Sequence, residues 1–358
     1  MEKASTGPGI CASPQAVTRA WLEAVLHSGG YDVSVAGFTA QAVGTGQVGQ
    51  NIRFVIEYRR GEGPRSLVGK FASDDPESRQ TGIALSNYLR EVRFYQELQP
   101  TLDIQTPVVL FTDIDLDTQD FVLMMEDLAP AVQGDQISGC DPAAAALAMR
   151  ELGKLHGPRW DDHALREIPW LSAQNDESAA MVLGLWNSVF PGFKVRYANH
   201  LRPEHRKLLD ALAERFDRYV APRSTPATVT HGDYRLDNML FGGPYPLTVV
   251  DWQSPGLGNG TADAAYFMGT SFDQAAERRE CERDLLDAYY ETLLGYGIAG
   301  YTQDDCWRDY VRASVAGLVM AVIASMIVGQ TPRGDEMFMA MARRSAEMAL
   351  DLGAIDSL

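Results

Sequence analysis

Cysteine is scarce: Cys11, Cys140, Cys281 and Cys306 are the only four in 358 residues, and they show neither paired spacing nor a nearby histidine set. Neither a disulfide framework nor a cysteine–histidine zinc site is suggested, and a reducing cytoplasm is the expected compartment. Positive charge is also short. With 31 Lys and Arg against 48 Asp and Glu, the formal charge is -17 and the pI is near 4.7. That balance argues against nonspecific binding to nucleic acid or to an anionic membrane, since both need a basic face, although it permits a cationic ligand. Internal repeats and low-complexity tracts are absent, and the first residues, MetGluLysAlaSerThrGlyProGly, lack the apolar core of a signal peptide. Long apolar runs are reduced to one, the uncharged stretch from 313 to 332. Ser314, Gly317, Ser325, Gly329 and Gln330 interrupt it, and Arg312 and Arg333 flank it evenly, so a core helix is expected rather than a membrane span.

What remains is 46% hydrophobic and 22% charged, the make-up of a globular protein with a sizeable core. The length suits about two domains. The densest chemistry lies in ThrHisGlyAspTyrArgLeuAspAsn at 230 to 238 and ThrValValAspTrpGln at 248 to 253. Asp233, Asn238 and Asp251 are spaced there by five and then thirteen residues. Phosphoryl transfer calls for such a set: one carboxylate to orient a hydroxyl and take its proton, and hard oxygen donors for Mg²⁺ against nucleotide phosphates. Asp233 fits the first task, Asn238 and Asp251 the second. The β-branched runs at 227 to 230 and 247 to 250, with 238 to 241 between them, read as short strands holding the loop, and GlyGlyProTyrPro favours a turn between the last two.

In these motifs the chain resembles the aminoglycoside phosphotransferase and choline-kinase-like enzymes, which share the protein-kinase architecture. The wording HisGlyAspTyrArgLeuAspAsn with AspTrpGln is similar to the ecdysteroid-kinase-like branch. The resemblance implies Asp233 as catalytic base, Asn238 and Asp251 as metal ligands, and His231 as a structural brace. It also implies Arg235 toward the transferred phosphate and Asp263 as a residue that stiffens the catalytic loop, where a helix cap is the alternative reading. ATP and Mg²⁺ are the implied cofactors.

The N-terminal third fits the same frame. A helix is expected from Pro14 with Ser13 as cap. A strand follows, then GlyThrGlyGlnValGly at 44 to 49, then a segment alternating with period two through Ile52, Phe54, Ile56 and Tyr58. Dinucleotide-binding loops open a helix, so this alternation argues against an oxidoreductase and for a glycine turn between strands. Gly44, Gly46 and Gly49 are thus candidates for contact with nucleotide phosphates. Lys70 lies near the end of the strand 66 to 72. A helix over 83 to 98 is expected to carry a stripe through Leu85, Tyr88, Leu89, Val92 and Tyr95, and Glu91 borders it as the partner of Lys70, with Glu97 the competitor. The strand 121 to 128 resembles the family's connector, which implies that the Glu126 carbonyl and the Leu128 amide face the adenine and that Met125 borders it.

Asp141 caps a helix ending at GlyLysLeuHisGly, in which His156 is read as structural. The aromatic-rich stretch 160 to 225 is where the family builds its acceptor pocket. Helices are expected around 275 to 296, 303 to 329 and 334 to 352. The fold class is therefore α+β and bilobal: a sheet-based nucleotide-binding lobe over 1 to 125, a connector over 126 to 130 and a mainly helical lobe over 131 to 358. The expected activity is transfer of the γ-phosphate of ATP to a hydroxyl of a small molecule, with no nucleic-acid or membrane partner. AspTrpGln in place of AspPheGly, with no activation segment, argues against protein acceptors. The alternative is a nucleotide-binding protein of this fold without turnover.

Overall fold

The computed structural model describes residues 7–44 and 49–358. The chain divides into two compact units. The first runs to Thr101 and also takes Gln105–Ala131 and Thr248–Pro255; the second takes Leu102–Ile104, Val132–Leu247 and Gly256–Leu358.

In the first unit helix α1 (Arg19–Ser28) begins where the Thr18 side chain accepts the Trp21 amide. Ser13, the expected cap, precedes only a short 3-10 turn, Pro14–Ala16, and makes no capping bond, because Val17 returns to extended backbone and ends that turn. Strands β1 (Ser34–Ala42), β2 (Gly49–Arg60) and β3 (Ser66–Ala72) follow, then helices α2 (Pro76–Ala84) and α3 (Asn87–Arg93), then β4 (Val109–Ile114) and β5 (Phe121–Glu126). The sheet order is β1-β2-β3-β5-β4 with every neighbouring pair antiparallel. Side chains alternate across a strand. Leu67 and Phe71 of β3 therefore join Leu22, Val25 and Leu26 of α1 in one core with Phe54, Val122 and Met124, while Lys70 points to the opposite face.

The single helix expected over 83 to 98 is instead broken. Asp75 caps α2 by accepting the Ser78 amide, Ser86 takes a left-handed conformation with φ 56°, and α3 restarts at Asn87 before a π-helical turn, Phe94–Leu98. The break leaves Leu85 half exposed and lets Tyr88, Glu91 and Val92 bury together. Tyr88 stacks on Phe121 with centroids 4.7 Å apart.

The second unit starts with β6 (Val132–Gln133), α4 (Pro142–His156), β7 (Ser172–Ala173), α5 (Asp176–Tyr197), α6 (Pro203–Glu214) and α7 (Phe216–Val220). Strands β8 (Thr228–Thr230) and β9 (Met239–Phe241) flank the motif loop, and β10 (Leu247–Val249) returns the chain to the first unit. After β11 (Gly256–Gly258) come α8 (Thr261–Ser271), α9 (Ala275–Leu294), α10 (Gln303–Ala313), α11 (Ala316–Ile327) and α12 (Pro332–Asp351). β6 pairs with β9, and β11 lies between β8 and β7.

As the sequence predicts, Asp141 caps α4 with Pro142 in the first turn and Gly157 at the end. Of the aromatic residues between 160 and 225, Trp186, Phe193, Tyr197 and Phe216 are core, and Trp186 stacks on Phe216 with centroids 4.2 Å apart. The segment 303 to 329 forms two helices, α10 and α11, rather than one. Among the described residues Gln303–Ile327 is the one helical stretch long and apolar enough to cross a membrane, and half of its apolar window is buried. Leu318, Ala321 and Val322 within it belong to the core.

Candidate active site

β8 delivers the motif loop of the second unit, and two amides fix the loop's start. The Asp263 carboxylate in the first turn of α8 accepts from the His231 amide at 2.6 Å and from the Gly232 amide at 3.1 Å. It holds the loop rather than capping its own helix. Gly232 needs no side chain here: its φ of 78° is left-handed, a region costly for other residues. His231 is fully buried, and its Nδ1 accepts the Asp233 amide at 3.2 Å, which is the brace expected of it. His156 is also buried, with Nδ1 2.9 Å from the Tyr289 hydroxyl and Nε2 3.5 Å from Asp263 Oδ2.

The Asp233 carboxylate is held from three sides. Arg235 Nε donates to both of its oxygens at 3.1 Å. The Tyr266 hydroxyl donates to Oδ1 at 2.8 Å. Asn238 Nδ2 donates to Oδ2 and to the Asp233 carbonyl, both at 2.9 Å. Burial alone would push the Asp233 carboxyl up, but Arg235 and Tyr266 outweigh it and hold the group below the usual carboxylate range. Asp233 is thus ionised at neutral pH. Because the Asn238 amide nitrogen is committed to Asp233, its Oδ1 is the atom left to face a cation.

Arg235, expected toward the transferred phosphate, also turns its Nε onto the base. Besides Asp233 it donates through Nη1 to Asp237 at 2.6 Å, and its Nη2 has no hydrogen-bond partner among the described residues. Desolvation works against its charge, but Asp233 and neighbouring groups keep it firmly protonated.

In the first unit Lys70, Glu91 and Asp251 come together. Lys70 Nζ lies 2.7 Å from Glu91 Oε1 and 2.7 Å from Asp251 Oδ1. Desolvation opposes the ammonium charge, yet the two carboxylates raise its pKa above that of an ordinary lysine. Glu97, the competing partner, pairs with Arg93 at 3.1 Å instead. Asp251 has a left-handed φ of 67°, an uncommon conformation for a non-glycine residue. The next two residues of the AspTrpGln run anchor it: Trp252 stacks on Phe94 with centroids 3.8 Å apart and planes 4° from parallel, and Gln253 Nε2 donates to Glu91 Oε2 at 3.3 Å.

The glycine turn lies between β1 and β2, which pair antiparallel up to Ala42 and Ile52, as the alternation implied. Gly44 has φ 74°. Gly49 opens β2 against the end of β3, where a Cβ would come within 3.0 Å of the Phe71 carbonyl. Gly46 lies outside the described residues. Met125 and Glu126 end β5. Glu126 Oε1 accepts the Val108 amide at 2.8 Å, and the Leu128 side chain is buried while its carbonyl accepts the Ala131 amide at 2.8 Å.

Three supports were invisible to sequence reasoning. Tyr266 reads as one more apolar helix residue until α8 turns it onto Asp233. Gln136 is fully buried; its side chain accepts the Leu236 amide at 3.0 Å and donates to the Thr270 carbonyl at 2.8 Å. Its own amide donates to Asp237 at 2.9 Å. Asp127, just past β5, takes Arg53 at 2.6 and 3.0 Å and Ser66 at 2.6 Å. An AspLeu dipeptide after a strand gives no signal for that role; only the sheet pairing brings β2 and β3 to it.

Chains of known structure share this architecture. The GDP complex of a variant aminoglycoside 2′-phosphotransferase-IIIa aligns over 94% of this chain and 100% of its own, with TM-score 0.55 and 15% identity. A choline kinase from Cryptosporidium parvum Iowa II aligns over 88% and 91%, with TM-score 0.54 and 12% identity. The GDP and kanamycin complex of APH(2″)-IIIa aligns over 87% and 93%, with TM-score 0.51 and 17% identity. At these identities the likeness is one of fold, the kinase-like α+β class. The narrower likeness to ecdysteroid-kinase-like proteins rests on residues 231 to 253 alone. No curated protein matches the sequence. A family profile described as the phosphotransferase enzyme family does match, from residue 56 in β2 to residue 301 beyond α9, and so the chain belongs to the APH phosphotransferase enzymes.

Proposed function

We propose that this phosphotransferase moves the γ-phosphoryl group of ATP to a hydroxyl of a small-molecule acceptor, with Asp233 as general base. The observation that carries the reading is the Asp233 carboxylate: ionised, fixed by Tyr266, Asn238 and Arg235, and still 29% exposed. A base so fixed spends no free energy on orientation when the acceptor arrives.

Asp233 accepts the hydroxyl proton as the acceptor oxygen bonds to the γ-phosphorus. The bond from that phosphorus to the β,γ-bridging oxygen breaks, ADP leaves with its electron pair, and the proton passes from Asp233 to solvent. Lys70, held charged by Glu91 and Asp251, supplies the cation for the nucleotide phosphates, and Arg235 Nη2 is the remaining donor toward the transferred group. Asn238 Oδ1 and Asp251 Oδ2, each without a hydrogen bond to another described residue, are the oxygens assigned to Mg²⁺. Mg²⁺ takes only one or two protein oxygens and, when bound, neutralises phosphate charge. Gly44, Gly46 and Gly49 are assigned to the phosphates, and Glu126 and Leu128 of the connector over 126 to 130, with Met125 just before it, to the nucleobase.

The test is a phosphorylation screen with MgATP and MgGTP over hydroxylated metabolites and antibiotics, cationic acceptors included. Once an acceptor is found, Asp233→Asn is expected to lower turnover by ~10²–10⁴ while nucleotide affinity changes little. Turnover within a factor of about three of the parent's would remove Asp233 from this role.

A further inference from the structure

The motif loop of the second unit carries one more carboxylate than the proposed reaction uses. Asp237 is partly buried, with 18% of its side chain exposed, and the segment that begins with β6 fixes it twice. The Gln136 amide donates to its Oδ1 at 2.9 Å, and Gln133 Nε2 donates to its carbonyl at 2.6 Å. With its other oxygen Asp237 takes hold of Arg235. Nη1 donates to Oδ2 at 2.6 Å, and Met337 Sδ of α12 lies 3.4 Å from the same nitrogen.

That hold accounts for an unusual contact at Asp233. Guanidinium and carboxylate favour a fork of two parallel bonds at ~2.7–2.9 Å, for which Nε and Nη2 share one edge of the group. Arg235 does not close this fork. Its Nε alone reaches both Asp233 oxygens, each at a long 3.1 Å, and Nη2 makes no hydrogen bond to another described residue. The shorter bond to Asp237 decides where the guanidinium sits. The consequence is one of counting, because a carboxylate offers about four lone-pair sites. The Tyr266 hydroxyl, Asn238 Nδ2 and the shared Nε hydrogen take three of them. A bond from Nη2 would take the fourth and leave none for an incoming hydroxyl.

We propose that Asp237 is a positioning residue: by holding Arg235 Nη1 it keeps the guanidinium from closing a two-nitrogen fork on Asp233. One lone pair of the base then stays open to the acceptor hydroxyl, and Nη2 stays free for the transferred group. Asp237 acts through Arg235 alone. The inference rests on Asp233 being the base, as proposed above.

Asp237→Asn tests this with little disturbance to the loop, because the amide oxygen still accepts from Gln136 while the amide nitrogen meets Arg235 Nη1 donor to donor. A crystal structure of the variant should show Nε and Nη2 each on its own Asp233 oxygen, at ~2.7–2.9 Å. With water as the acceptor, ADP release from MgATP should fall about tenfold or more in kcat while KM for MgATP stays within about threefold. In an Arg235→Met background no guanidinium is left to misplace, so adding Asp237→Asn should cost no further turnover. Arg235 still on Nε alone in the variant crystal, or losses that multiply in the double variant, overturn the proposal. Asp233→Asn separates it from the reading it rests on. Turnover that survives Asp233→Asn removes the base and this role together, whereas turnover that falls there but not with Asp237→Asn removes the positioning role alone.

Discussion

Lys70→Met isolates what the ammonium does for folding, apart from any reaction. In the parent, Lys70 neutralises two carboxylates of unequal burial: the Glu91 side chain is 2% exposed and that of Asp251 39%. Removing the cation leaves Glu91 as an unmatched buried charge, a loss of ~3–5 kcal/mol; Asp251 adds little because solvent screens it. The sign with pH follows from burial. A buried, unpartnered Glu91 has a folded pKa above its unfolded one, so the penalty is absent below the unfolded carboxylate range and grows as pH rises through the folded value. Urea denaturation at pH 5 and pH 8 should therefore show a smaller deficit for Lys70→Met at pH 5. The double variant Lys70→Met/Glu91→Gln, which removes the stranded charge, should recover more than half of the loss at pH 8. Strictly additive single and double variants, or a deficit equal at both pH values, would refute the reasoning.

Two other outcomes follow from the motif loop. Tyr266→Phe removes a donor from the Asp233 carboxylate and so raises its depressed pKa; the acid limb of the rate–pH profile should move to higher pH, and an unmoved limb would detach Tyr266 from the base. Asp263→Ala strands the amides of His231 and Gly232 and should cost about 1–3 kcal/mol for each that stays buried and unpaired, read as a lower urea midpoint, with turnover falling more than nucleotide affinity.

Much of the fold was legible because it is local. Period-two alternation through Ile52, Phe54, Ile56 and Tyr58 marks β2 wherever its partners lie, and Asp141, Pro142 and Gly157 mark the ends of α4 by backbone chemistry alone. The spacing of His231, Asp233 and Asn238 was equally readable, since one short loop carries all three. Failures came where a distant contact decides. The stripe running through Leu85 counts apolar residues correctly, but burial of Tyr88 beside Phe121 fixes the helix phase, so the chain breaks at Ser86. Tyr266, Gln136 and Asp127 each act on groups that only tertiary packing brings to them.

The residues from Thr248 to Pro255 belong to the first unit although the chain has already spent β6 through β9 in the second. During synthesis, then, all five strands of the sheet have left the ribosome by Ala131, but the packing around them is not complete. Phe94 is still without the indole that covers it, and Glu91 without the Gln253 amide. The amino-terminal half must wait, partly built, until the stretch that follows the catalytic loop emerges, so a fragment cut at the connector would be an aggregation-prone intermediate rather than a domain.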